Sequence, residues 1–99
     1  TRSKWATMTL LAHEIGHHIY KHTVGRKKGT RIELELQADQ YAGEILYKLG
    51  ATVEQAQQVM RYISRTEESS THPGRIARLN AIRTGWNKAA SEEIATSAP

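Results

Sequence analysis

The sequence contains no cysteine, no phenylalanine and only two prolines. Without cysteine there is neither a disulfide framework nor a thiolate metal site, so histidine and carboxylate must supply any metal ligands. No apolar run approaches the roughly 20 residues that span a bilayer. Nothing at the start has the form of a signal peptide, because Thr1-Arg2-Ser3-Lys4 leads straight into an amphipathic segment. An initiating methionine is also lacking, and the chain reads as a segment of a longer protein. Concentrated charge is scarce too. The net charge is +4, and the one basic run, Arg26-Lys27-Lys28 between Gly25 and Gly29, has no aromatic residues interleaved with it. That pattern reads as a solvated loop rather than a nucleic-acid or membrane contact.

What is present suits one domain, or part of one. The chain has 99 residues, 38% of them hydrophobic, enough for a modest core. Hydrophobic periodicity predicts an all-α chain of about four helices. The first runs from about Trp5 to His22 and ends before Gly25. Trp5, Met8, Ala12, Ile15 and Ile19 form an apolar stripe expected to face the core. His13 and His17 lie on another face with Ala6 and Leu10, while Thr7, Glu14, Lys21 and His22 point towards solvent. Residues 31–36 alternate like a strand, but Leu34, Ala38, Tyr41, Ala42, Ile45 and Leu49 keep helical spacing over the longer window. A second helix is therefore expected from about Ile32 to Leu49, stopped by Gly50. Thr52 and Gln55 form a capping box that opens a third helix, with Val53, Ala56, Val59, Met60 and Ile63 on one face and an end near Arg65. Pro73 suits the first turn of a fourth helix carrying Ile76, Leu79, Ile82, Arg83 and Trp86 on one side. Residues 1–88 form the expected core, and 89–99 a small, polar tail expected to fray.

One pentapeptide organises the rest: His13-Glu14-Ile15-Gly16-His17. Histidines four residues apart lie one turn above each other, so both imidazoles can reach one metal ion. A glutamate beside the first histidine stands where it can take a proton from a water at the metal. This is the H-E-x-x-H pattern of zinc plus general base. A catalytic zinc site calls for a third protein ligand and an open position. The best candidate is Glu35, with seventeen residues between it and His17, enough to turn the chain and lay a second helix alongside. Asp39, one turn after Glu35, can accept the outer N–H of a ligating histidine and fix its tautomer. Ala38 and Ala42 beside them are small enough for close helix approach. His18 and His22 share the same spacing but face the polar side, and are read as solvent-exposed.

The pairing of His13-Glu14-x-x-His17 with Glu35-Leu36-Gln37-Ala38-Asp39 resembles the gluzincin metallopeptidases, and within them the CAAX prenyl-protease/HtpX family. Ser70-Thr71-His72-Pro73 with Arg78-Leu79 is similar to that family's S-[ST]-H-P-x4-R-[IL] stretch. The resemblance implies one Zn2+ per chain held by His13, His17 and Glu35, with Glu14 as general base and proton donor to the leaving amine. Asp39 would orient a ligand histidine. His72 would stabilise the oxyanion or close the fourth metal position, and Arg78 would anchor that loop or assist at the oxyanion. It further implies a peptide or protein substrate and zinc-dependent endopeptidase chemistry. The chain departs from the family in two ways: a short basic loop stands where many members carry a long insertion, and no strand precedes the site helix. It thus reads as the helical part of a zincin-like domain. Surface left open by absent strands could drive homodimerisation. Two other readings stay open. One is a repressor-cleaving metallopeptidase, which does not call for His72-Pro73; the other is a non-catalytic zinc module closed by His72.

Overall fold

The computed structural model describes residues 4–24, 30–64, 66–69 and 72–97, with the side chains of 21–24 and 97 excepted. The basic loop 25–29, Ser70 and Thr71, and the side chain of His22 lie outside the described residues. Among those described, four helices and no strand are found: α1 (Lys4–Val24), α2 (Arg31–Lys48), α3 (Val53–Ile63) and α4 (Arg75–Ser97).

Local chemistry sets most of the boundaries. Thr30 opens α2 with a capping box: its hydroxyl accepts from the Glu33 N–H (3.1 Å), and the Glu33 carboxylate accepts from the Thr30 N–H (2.7 Å). Gly50 closes it. At φ +95° the glycine takes the left-handed conformation, and the N–H groups of Gly50 and Ala51 return to the carbonyls of Tyr47 and Leu46. The expected box of Thr52 and Gln55 opens α3 with the same reciprocal pair of bonds, at 3.1 and 2.8 Å. α4 begins two residues after Pro73 and runs through the span expected to fray. Ala89 is buried there and the Tyr47 hydroxyl donates to the Glu93 carboxylate, so this stretch has packing that its small, polar composition did not announce.

α1 lies antiparallel to α2, with His13 opposite Asp39 and His17 opposite Glu35. α2 and α4 run parallel and pack most extensively: Asp39 meets Arg78, Gly43 meets Ile82, and Tyr47 meets Trp86 edge-on. Two glycines make that interface possible. A Cβ on Gly43 would run into the backbone of Ile82, and one on Gly85 into the backbone of Gln40. α3 returns the chain between them. It is tied to α4 by the Gln57 amide, which donates to the Leu79 carbonyl at 2.8 Å, and Trp86 donates to the carbonyl of Ala51 at 2.8 Å. The core is Ala12, Ala42, Leu46, Ala51, Ala56, Val59, Met60, Leu79 and Ile82, with Trp5, Ile45 and Trp86 against it.

The buried face of α1 is not the stripe its hydrophobicity suggests. Thr9, Ala12, His13 and Gly16 are buried, whereas Met8, Leu11, Ile15 and Ile19 are exposed. The reason is polar: the face that meets α2 and α3 carries the histidines. Ile63 and Ile76, also expected inside, are exposed at the helix ends. The shortest principal extent is 19 Å, room for about two layers of helices spaced ~8–10 Å apart, so each helix keeps an outward face. This is the structure of a single chain, and homodimerisation finds no support in it.

Candidate metal centre

The histidine face of α1 meets α2 where Gly16 allows it. A Cβ at Gly16 would sit 3.2 Å from the Ala38 Cα and from Tyr41. Its absence, together with the fully buried Ala38, brings the helices close enough for one carboxylate to meet both imidazoles. One turn before His13, the Thr9 hydroxyl donates to the Trp5 carbonyl (2.8 Å) and lies 3.3 Å from the Ala56 carbonyl of α3.

Glu35 spans the pair. Its Oε1 lies 3.2 Å from His13 Nε2 and its Oε2 lies 2.9 Å from His17 Nε2. The two rings meet edge-on, 4.6 Å between centroids. One donor atom from each of His13, His17 and Glu35 falls within 4.8 Å of the others, the one such group among the described residues. Behind it, the His13 Nδ1–H donates to Asp39 Oδ1 at 2.8 Å. Asp39 is completely buried, and Arg78 clamps it with two bonds, Nε to Oδ2 at 2.8 Å and Nη2 to Oδ1 at 2.9 Å. Arg78 Nη2 also stands 3.5 Å from Glu35 Oε1. Burial alone would lower the Arg78 pKa. The hydrogen bond and charge of Asp39, joined by the charge of Glu35, outweigh it and raise the pKa above its ordinary value, so the guanidinium stays charged.

The residues fit a zinc ion by the chemistry of their donor atoms. With Nδ1 engaged by Asp39, Nε2 of His13 faces Glu35 Oε1 and Nε2 of His17 faces Glu35 Oε2, so two imidazole nitrogens and one carboxylate converge as a zinc donor set. His13, His17 and Glu35 would hold the ion, since two imidazoles and one carboxylate are the ligand types of a catalytic zinc site and each ring nitrogen lies within 3.2 Å of a Glu35 oxygen. Access decreases inward. The side chain of His17 is 25% exposed, that of Glu35 13% and that of His13 8%, and Glu14 is exposed on the outer side of α1.

The structure therefore brings together His13, His17, Glu35, Asp39 and Arg78. Among the described residues, His72 is not a member of the three-residue ligand group. His72 is exposed; its N–H donates to the Ser69 hydroxyl (3.0 Å) and its carbonyl accepts from the Ser69 N–H (2.9 Å). His18 is exposed as expected. Gly16, Thr9 and the Gly43–Gly85 interface support the site without having been signalled in the sequence. Only the close spacing of Gly16 to two candidate ligands could have drawn attention to it.

A protein-family model described as peptidase family M48 matches residues 28–85, more than half of the chain. The chain belongs to peptidase family M48. This is a family of zinc metallopeptidases. The matched span holds Glu35, Asp39, His72 and Arg78, but the histidine pair lies ahead of it. Family membership and the convergence of His13 and His17 on Glu35 are thus largely separate observations. Neither the comparison with curated proteins nor that with solved structures gives a match.

Proposed function

We propose that the chain carries the centre of a zinc-dependent endopeptidase. The observation that supports it is the convergence of His13, His17 and Glu35 within 4.8 Å of one another, one residue from Glu14. Bound there, zinc supplies Lewis-acid activation of a water and of the scissile carbonyl. Glu14 lies on the solvent side, where it takes the proton of the attacking water and returns it to the leaving amine. Asp39 holds His13 in the tautomer that leaves Nε2 free to bind metal. His72, on the exposed turn before α4, is assigned to the oxyanion developing on the substrate. The Ser70-Thr71-His72-Pro73 stretch supports a place in the CAAX prenyl-protease/HtpX branch of the family. The substrate is a peptide or protein.

The test is Glu14→Gln in the full-length protein, with metal content and peptide hydrolysis measured side by side. One zinc per chain with hydrolysis lost is the expected result, because the amide cannot act as a base. Unchanged hydrolysis would remove Glu14 from the mechanism. His72→Ala should lower hydrolysis by on the order of 10²–10³-fold with zinc retained, the cost of losing one oxyanion donor.

A further inference from the structure

Arg78 is the buried arginine among the described residues, and the proposed reaction leaves its role open between the oxyanion and the scaffold. Its geometry separates the two. Nε and Nη2 both point inward to Asp39, at 2.8 and 2.9 Å, and the residue is only 7% exposed. Nη2 is the node of the arrangement. It bonds Asp39 Oδ1, the oxygen that receives the His13 Nδ1–H, and it stands 3.5 Å from Glu35 Oε1, the oxygen that faces His13 Nε2. One guanidinium nitrogen thus adjoins both carboxylates that flank the same imidazole.

We infer that Arg78 is a positioning residue of the metal centre, fixing through Asp39 and Glu35 the directions in which His13 and Glu35 present their donor atoms. The inference rests on the reading of His13, His17 and Glu35 as metal ligands. Three donors hold the Asp39 carboxylate: the His13 ring on Oδ1, Nη2 on Oδ1 and Nε on Oδ2. A carboxylate held at both oxygens cannot rotate, so the ring it holds cannot swing. Without Arg78, Oδ2 becomes a bare buried acceptor and Asp39 is free to turn. Charge acts in the same direction. Arg78 neutralises Asp39 through two short bonds and touches Glu35 only at 3.5 Å, which leaves Glu35 the freer carboxylate and keeps Asp39 from competing as a ligand. A lysine cannot replace this, because a point charge does not grip both oxygens as the planar fork does.

The experiment measures Zn2+ affinity by competition with a chromophoric chelator, and the Co2+ absorption spectrum, for the parent, Arg78→Met and Arg78→Lys. Helix content is followed in each by circular dichroism. Zinc affinity should fall about 10- to 100-fold in Arg78→Met and by an intermediate factor in Arg78→Lys, with the cobalt bands altered in both. A role confined to stability would lower the melting temperature and leave the affinity and cobalt spectrum of the folded protein unchanged. A folded Arg78→Met with parental affinity and spectrum overturns the inference and leaves the metal centre standing; a parent that binds no zinc overturns the centre itself and the inference with it. Should Arg78→Met not fold, the double variant Asp39→Leu/Arg78→Leu, which leaves no charge unpaired, takes its place. Parental affinity in that protein is again the overturning result.

Discussion

His13 has two ring nitrogens, and the fold gives each its own carboxylate: Asp39 at Nδ1 and Glu35 at Nε2. The first contact directs the second, since the nitrogen that donates to Asp39 leaves the other with its lone pair outward. Asp39 thereby links the site to the stability of the chain. Asp39→Ala strips the buried Arg78 guanidinium of its two short bonds and leaves it only the 3.5 Å contact to Glu35, and removing one partner of a buried pair costs up to about 3–5 kcal/mol. A urea titration should show that loss as a lower midpoint with little change in slope. At this scale much was legible. Spacing alone named the histidine pair and its glutamate, because i and i+4 share a helical face whatever the rest of the chain does. Glu35 and Asp39 followed from being carboxylates four residues apart beside small residues. The bond between Asp39 and Arg78 was not legible, because nothing in either residue's neighbourhood says which helix will lie against it.

The pairing of elements supplies that information, and the residues that decide it have no side chains. Gly43 and Gly85 let α2 and α4 come together until backbone meets backbone, in the parallel register that sets Arg78 against Asp39. Glycine contributes nothing to a hydrophobic pattern, so the interface was invisible to periodicity. The α1 stripe misleads for the complementary reason. Apolar residues mark the core only when the buried face is apolar, and here Thr9 and His13 are buried while Leu11 and Ile15 are not. Capping was read correctly at Thr52 because its chemistry is local, and the same signal at Thr30 sets the start of α2. Gly85→Ala tests the interface. The added methyl meets the Gln40 carbonyl, and overpacking of this kind costs about 1–3 kcal/mol, more than the gain of up to ~1 kcal/mol in helix propensity. A melting temperature several degrees lower is expected. An unchanged or raised one would mean that the helices can part without loss.

The molecule is a thin slab, 46 × 38 × 19 Å, with a small core of four alanines and five larger apolar side chains among the described residues. Such a core gives a modest margin, and a ligand that binds only the folded chain adds to it by mass action. Zinc at a free concentration about 100 times its Kd should add roughly 2.7 kcal/mol, which for a domain of this size raises the melting temperature by on the order of 10 °C. Removing the metal with a chelator should reverse the gain, and Glu35→Ala should abolish it. Equal melting temperatures with and without zinc would deny that the ion holds α1 and α2 together.

The residues that meet around His13 come from three separate stretches of chain, and that separation gives the centre a history in time. The histidine pair is complete as soon as α1 forms, because both rings belong to one helix. Glu35 and Asp39 arrive only when the chain has doubled back, and Arg78 only when the fourth helix has docked. A nascent or half-folded chain thus presents two imidazoles and little else, a weak and unselective ligand. The finished molecule presents a directed, charge-balanced set. The donor set of His13, His17 and Glu35 is complete once α1 and α2 are docked, and the buried Arg78–Asp39 pair ties that finished set to α4.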